Sequence, residues 1–152
     1  PKRKENAINT LNTLLEWGII PVVNENDSIS SDELEFGDND TLSALVAELV
    51  DAELLVVFSD IDGLYDSDPH KNPNAKLVPV IEKVDAELMR TAGGAGSNRG
   101  TGGMITKLAA AKHAMAVGTD MIITNGIEPR SLYRILAGEQ VGTLFRAPGK
   151  RK

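Results

Sequence analysis

Apolar residues recur along this chain in two alternating rhythms, one helical and one extended. Ile8, Leu11, Leu14 and Leu15 fall at helical spacing, and Gly18 stands where such a helix would end. Residues 19–23 (IIPVV) form a short apolar run expected as a buried strand. Leu42, Leu45, Val46 and Leu49 predict a second helix, with Asn39 or Asp40 as its N-cap. Residues 53–60 (ELLVVFSD) give the strongest strand signal, and 77–84 (LVPVIEKV) a short strand or hairpin arm. A brief helix is predicted over 85–91, a longer one over 103–117 closed by Gly118, and another over 128–136. Strands are predicted over 120–124 (DMIIT) and 142–147 (GTLFRA). Helices alternating with strands argue for an α/β fold around a mainly parallel sheet. No internal repeat is visible.

Two connections stand out against this background. Residues 24–40 are long and acidic for a plain turn, and connections of that length in compact domains usually carry function or lack order. In parallel α/β sheets, ligands sit at the carboxyl ends of the strands. The segments that follow 19–23 and 53–58 are therefore the places where a site is expected.

Composition narrows the classes. A chain of 152 residues can build one domain with a core. Its net charge of -6 argues against a nucleic-acid backbone as partner, since that needs clustered Lys and Arg. With no cysteine, a disulfide framework and a thiolate metal site are both excluded. No apolar run reaches the ~18 residues of a membrane span and no signal peptide is visible, so a cytoplasmic protein without a membrane partner is expected. The chain opens on Pro1 directly before a helix and closes on a basic tail, residues 148–152. It is expected to be a piece of something longer.

Six of the 14 glycines fall between Gly93 and Gly103, directly before the helix that carries Thr106 and Lys107. Glycines let backbone approach an anion, helix-start amides point at it, and a lysine one turn in adds a mobile positive charge. A flexible linker has the same composition. Neither common phosphate fingerprint fits. Gly103 is followed by Met104 where a P-loop needs Lys, and Ile105 occupies the third glycine position of a dinucleotide turn.

Asn24, Asp27 and the run Gly37-Asp38-Asn39-Asp40 form a polar, anionic cluster that could receive the ammonium group of an amino acid. Helix capping explains Asn39 or Asp40 equally well. Ser59 and Asp60 end the best strand, where polar groups would face a nucleotide. DIDG resembles part of a calcium loop, but the alignment puts Phe58 and Pro69 at ligand positions, which excludes one. His70 and His113 have no metal-ligand spacing, and no G-x-S-x-G elbow occurs.

The segments NENDSISSDELEFGDNDTLSALVA, LLVVFSDIDGLYDSDP and GTGGMITKLAAAKHA, in this order and spacing, resemble the amino acid kinase family. VNEND with GDND, together with GTGGM-x-TK, is most similar to the members that phosphorylate glutamate. The resemblance spans about residues 6–147. It implies a three-layer α/β/α sandwich, incomplete at its N-terminus. Residues 1–147 would be the C-terminal portion of the kinase domain, with 1–52 in the glutamate-binding half, 53–147 in the ATP-binding half, and 148–152 a tail or the start of a linker.

The activity so implied is transfer of the γ-phosphoryl group of ATP to the γ-carboxylate of L-glutamate, the first step of proline biosynthesis. Asn24, Asp27 and Asn39 would hold glutamate. Ser59 and Asp60 would contact the nucleotide, with Ser59 in place of the family's more frequent threonine. Thr101, Gly102, Gly103, Met104, Ile105, Thr106 and Lys107 would wrap its phosphates. Asp40 would orient catalytic lysines, Lys107 among them, without accepting a proton. Mg²⁺ is implied as a charge bridge, proline as a feedback inhibitor, and a homo-oligomer as the assembly. The family's opening strand, glycine loop and second catalytic lysine are not in the sequence, so the chain alone is expected to be inactive.

Overall fold

A computed structural model describes residues 2–24, 39–69, 71–92 and 101–149. The elements run α1 (Lys2–Glu16), α2 (Asn39–Leu49), β1 (Leu54–Ser59), β2 (Val80–Ile81), α3 (Ala86–Ala92), α4 (Thr101–Ala116), β3 (Asp120–Asn125), α5 (Ser131–Leu136) and β4 (Thr143–Phe145). Four strands form one sheet in the order β1-β3-β4-β2. β1 runs parallel to β3, from Leu54 opposite Asp120 to Ser59 opposite Asn125. β2 is parallel to β4, and the β3–β4 pairing is antiparallel. The mainly parallel sheet is thus present with one antiparallel exception.

Most elements form where the apolar rhythm places them. Asp85 starts α3 because its Oδ1 accepts the amides of Glu87 at 3.1 Å and Leu88 at 3.0 Å, which satisfies two donors the helix itself cannot. The strand expected over 19–23 is not formed. Ile20 and Val22 are 86% and 94% exposed. An apolar β-prone run becomes a strand only by pairing, and among the described residues no strand lies beside it. The arm expected over 77–84 shrinks to β2 and an isolated antiparallel bridge between Tyr65 and Leu77.

One core cluster joins Val57, Met121, Ile123 and Phe145 of the sheet to Leu108, Ala111 and Ala114 of α4 and Ala44 of α2. Leu108, Met121, Ile123 and Phe145 are fully buried. Each such side chain is worth about 1.5–3 kcal/mol relative to exposure. Small side chains fill the seam where α2 packs beside α4: Ala44 and Ala47 on one helix, Ala110, Ala111 and Ala114 on the other. Alanine lets two helices approach closely.

That layer fixes where the helix starts point. Short turns at 50–53 and 117–119 reverse the chain from α2 into β1 and from α4 into β3, and each helix packs back on its strand. The turns are tied together, since the Thr119 hydroxyl donates to the Ala52 carbonyl at 2.8 Å. The N-termini of α2 and α4 therefore lie toward the carboxyl ends of β1 and β3. Among the described residues, no helix is long and apolar enough to cross a membrane.

Candidate functional site

Asp40 is the second residue of α2 and Lys107 lies in the second turn of α4. Because the alanine seam holds the helices close, the Lys107 Nζ reaches Asp40 Oδ2 at 3.0 Å. Their side chains are only 14% and 12% exposed, so the pair is screened far less than a surface ion pair. The Thr106 hydroxyl lies 3.1 Å from the same Asp40 oxygen and 2.9 Å from the Gly103 carbonyl. A hydroxyl has one proton, so it is shared between them or alternates. Ser43 donates to the Asp40 carbonyl at 2.7 Å, which steadies the first turn of α2.

A lysine ammonium carries three donors, and Asp40 occupies one. Further N–H bonds can address an anion. The ammonium is held at the first turn of α2, and helix-start amides without helical partners favour negative charge. A lysine held beside helix starts in this way could receive a phosphate. Sequence reasoning paired these two residues by resemblance alone; the alanine pattern on both helices is the physical signal that they approach.

Asn24 and Asn39 line one cavity of ≈ 490 Å³, together with Pro21, Val23, Leu42, Ser43 and Leu54. The two asparagines and Ser43 are the polar side chains of an otherwise aliphatic wall. Two of the three residues expected to hold an amino acid are thus brought to one opening. The third, Asp27, lies outside the described residues, as do His70, Gly37, Asp38 and the glycine loop up to Gly100. Thr101 and Gly102 open α4, while Gly103, Met104, Ile105 and Thr106 continue it.

Ser59 and Asp60 sit where β1 ends, with the Ser59 hydroxyl donating to Asp60 Oδ1 at 3.0 Å. Neither makes a hydrogen bond to Asp40 or Lys107; they share with that pair only the end of the sheet. Residues the sequence did not single out gather beside them. Asn125, which ends β3 opposite Ser59, donates to Asp62 Oδ1 at 2.8 Å. Tyr65 donates its hydroxyl to Asp62 Oδ2 at 3.1 Å, and this bond, with some burial, raises the phenol above its ordinary range. The register that sets Asn125 against Ser59 is a tertiary fact, and no local pattern in TNG announces it.

Among the described residues, no group of three or more His, Cys, Asp or Glu side chains could cage a metal.

A model of the amino acid kinase family matches residues 1–125. Curated relatives include glutamate 5-kinase of Clostridium perfringens, 55% identical over 150 residues, which covers 96% of this chain and 56% of the relative. Glutamate 5-kinase of Geobacter sulfurreducens is 53% identical, covering 95% of this chain and 39% of the relative. The chain thus spans about half the length, or less, of these relatives. Among solved structures, UMP kinase from Bacillus anthracis superposes with a TM-score of 0.66 at 21% identity, over 96% of this chain and 52% of that one. Isopentenyl phosphate kinase of T. acidophilum superposes with a TM-score of 0.64 at 22% identity, over 91% of this chain and 52% of that one.

Proposed function

This chain belongs to the amino acid kinase family, and from that premise we propose that it forms part of an enzyme that phosphorylates the γ-carboxylate of L-glutamate with ATP. The product would be glutamyl 5-phosphate, which opens proline biosynthesis. The observation that carries this reading is the shielded Asp40–Lys107 pair that joins α2 to α4. The substrate rests on the glutamate 5-kinase relatives.

A carboxylate is already a nucleophile, so the site needs no general base. Phosphoryl transfer then depends on in-line positioning and on neutralising charge that spreads over the transferred oxygens. Lys107 presents its remaining N–H bonds to those oxygens, and Asp40 holds the ammonium so that it need not be ordered during the reaction. Thr106, on the same carboxylate, limits the rotation of Asp40. Residues 101–106 supply backbone amides and close approach around the phosphates.

Asn24 and Asn39, with Asp27, hold glutamate; Ser59 and Asp60 face the nucleotide. Residues 1–52 then belong to the glutamate side and 53–147 to the ATP side. Mg²⁺ bound with ATP would supply further charge neutralisation. Feedback inhibition by proline at the 24–38 segment, a homo-oligomeric state and a cytoplasmic location complete the reading.

Substrate profiling tests it. A protein of the relatives' full length that contains this chain should release ADP in a glutamate-dependent manner. Preference for aspartate, acetylglutamate or UMP over glutamate would overturn the assignment.

A further inference from the structure

Three polar side chains to which the proposed reaction gives no part meet at the strand ends. Asp62 accepts Asn125 Nδ2 at 2.8 Å on one carboxylate oxygen and the Tyr65 hydroxyl at 3.1 Å on the other. Asn125 in turn uses its carbonyl oxygen to accept the Ile127 amide at 2.9 Å, and the neighbouring Gly126 amide donates to the Ser59 carbonyl at 2.8 Å. The loop after β1 and the loop after β3 are therefore joined by one side-chain and one backbone bridge.

The Asp62 backbone is itself anchored. Gly63 has φ +148°, and a Cβ there would lie 2.6 Å from Thr143 Oγ1. The next residue, Leu64, donates its amide to that same hydroxyl at 2.9 Å. Asp62 thus projects from chain pinned against β4.

We propose that Asp62 is a positioning residue, a fixed post that ties the two loops and sets the width of the opening that receives the base and ribose of ATP. This role rests on the reading of these strand ends as the nucleotide side. Asp62 acts through its neighbours and needs no contact with the nucleotide.

The donor and acceptor inventory gives a sharp test. In Asp62→Leu a side chain of similar size accepts neither the Asn125 amide nor the Tyr65 hydroxyl, so both bonds of the network are lost. Asp62→Asn alone is no test, because its carbonyl can accept from Asn125 while its amide donates to the Tyr65 oxygen. In the exchanged pair, Asp62→Asn with Asn125→Asp, every bond returns. Asn at 62 donates to the new carboxylate and accepts from Tyr65, and Asp at 125 still accepts the Ile127 amide.

Two measurements separate the contact from its role. The first is the tyrosinate absorbance titration in a protein of the relatives' full length, read for each variant as the difference from the same protein carrying Tyr65→Phe, so that Tyr65 alone is followed. The second is the Kd for ATP by calorimetry. Asp62→Leu should bring Tyr65 down toward its ordinary value of 10.0 and weaken ATP binding about 5- to 10-fold. The exchanged pair should leave Tyr65 low, because a neutral amide still faces it, yet restore the Kd to within about twofold.

An unchanged Kd in Asp62→Leu, with Tyr65 shifted, overturns the positioning role alone. Failure of the exchanged pair to recover affinity, in a variant as stable as the parent, also overturns it. If the unaltered protein binds no ATP, the nucleotide reading falls, and the role of Asp62 falls with it.

Discussion

Lys107 and Asp40 are 67 residues apart in sequence and 3.0 Å apart in space, joining the second turn of one helix to the first turn of another. Removing either partner leaves the other poorly compensated in a site that is almost nine-tenths shielded. Lys107→Ala and Asp40→Asn should each lower kcat on the order of 10²-fold or more in a protein of the relatives' full length. The two need not fail alike. Lys107→Ala removes the charge that meets the phosphate, whereas Asp40→Asn leaves a lysine that is present but unguided. Combining them should cost far less than the product of the single losses, because the pair acts as a unit. Independent, multiplying effects in steady-state kinetics would argue against a coupled pair.

Thr143 bears on stability. Its hydroxyl accepts the Leu64 amide at 2.9 Å and donates to the Val78 carbonyl at 2.7 Å, and the residue is fully buried. Thr143→Val keeps the shape and orphans both groups. Each buried polar group left unpaired costs about 1–3 kcal/mol, so the urea midpoint should fall with little change in m. Thr143→Ser keeps the hydroxyl and should lose much less. Equal midpoints for Val and Ser would show that the hydroxyl contributes nothing.

How much of this was legible in the sequence depends on whether the signal was local. The helix at 103–117 and the strand at 120–124 follow from apolar spacing over a few residues, and α4 and β3 form close to those bounds. The run 19–23 has the same local signal and makes no strand, because a ladder needs a partner and spacing carries no information about one. The same limit applies at the site. Asp40 and Lys107 could be nominated from their motifs, but Asp62 and Asn125 become neighbours only through the β1–β3 register. A pairing offset by two residues would separate them.

Acid should loosen one end of the α2–α4 contact. Glu48 accepts Lys4 Nζ at 2.6 Å on one oxygen and faces His113 Nε2 at 2.7 Å on the other, so it joins α1, α2 and α4. The bond from Lys4, followed by that from His113, holds the Glu48 carboxyl below its ordinary 4.5. A depressed folded value means the stabilisation is complete above about 4.5 and is lost as pH falls through the lower, folded value. Glu48 is about a quarter exposed and both partners more so. Solvent screening therefore limits the effect to less than about 1 kcal/mol. Glu48→Gln should lower stability at neutral pH and flatten its slope as the pH falls below the ordinary carboxylate value. Parallel stability–pH curves for the two proteins would exclude this contribution.

The spacing between α2 and α4 is itself a testable part of the site. Ala44 is fully buried in the core cluster and lies four residues after Asp40, so both fall on one face of α2. A larger side chain at 44 must push the helices apart. Ala44→Leu should cost about 1–3 kcal/mol through overpacking. It should also lengthen the Asp40–Lys107 contact, a change that lowers kcat well beyond what partial unfolding explains. Ala44→Gly is the control, since it costs about 1 kcal/mol in helix propensity while adding no volume. At a temperature where both variants are fully folded, the leucine variant should lose most of its activity and the glycine variant little. Equal activity losses would mean that helix spacing does not set the geometry of the pair.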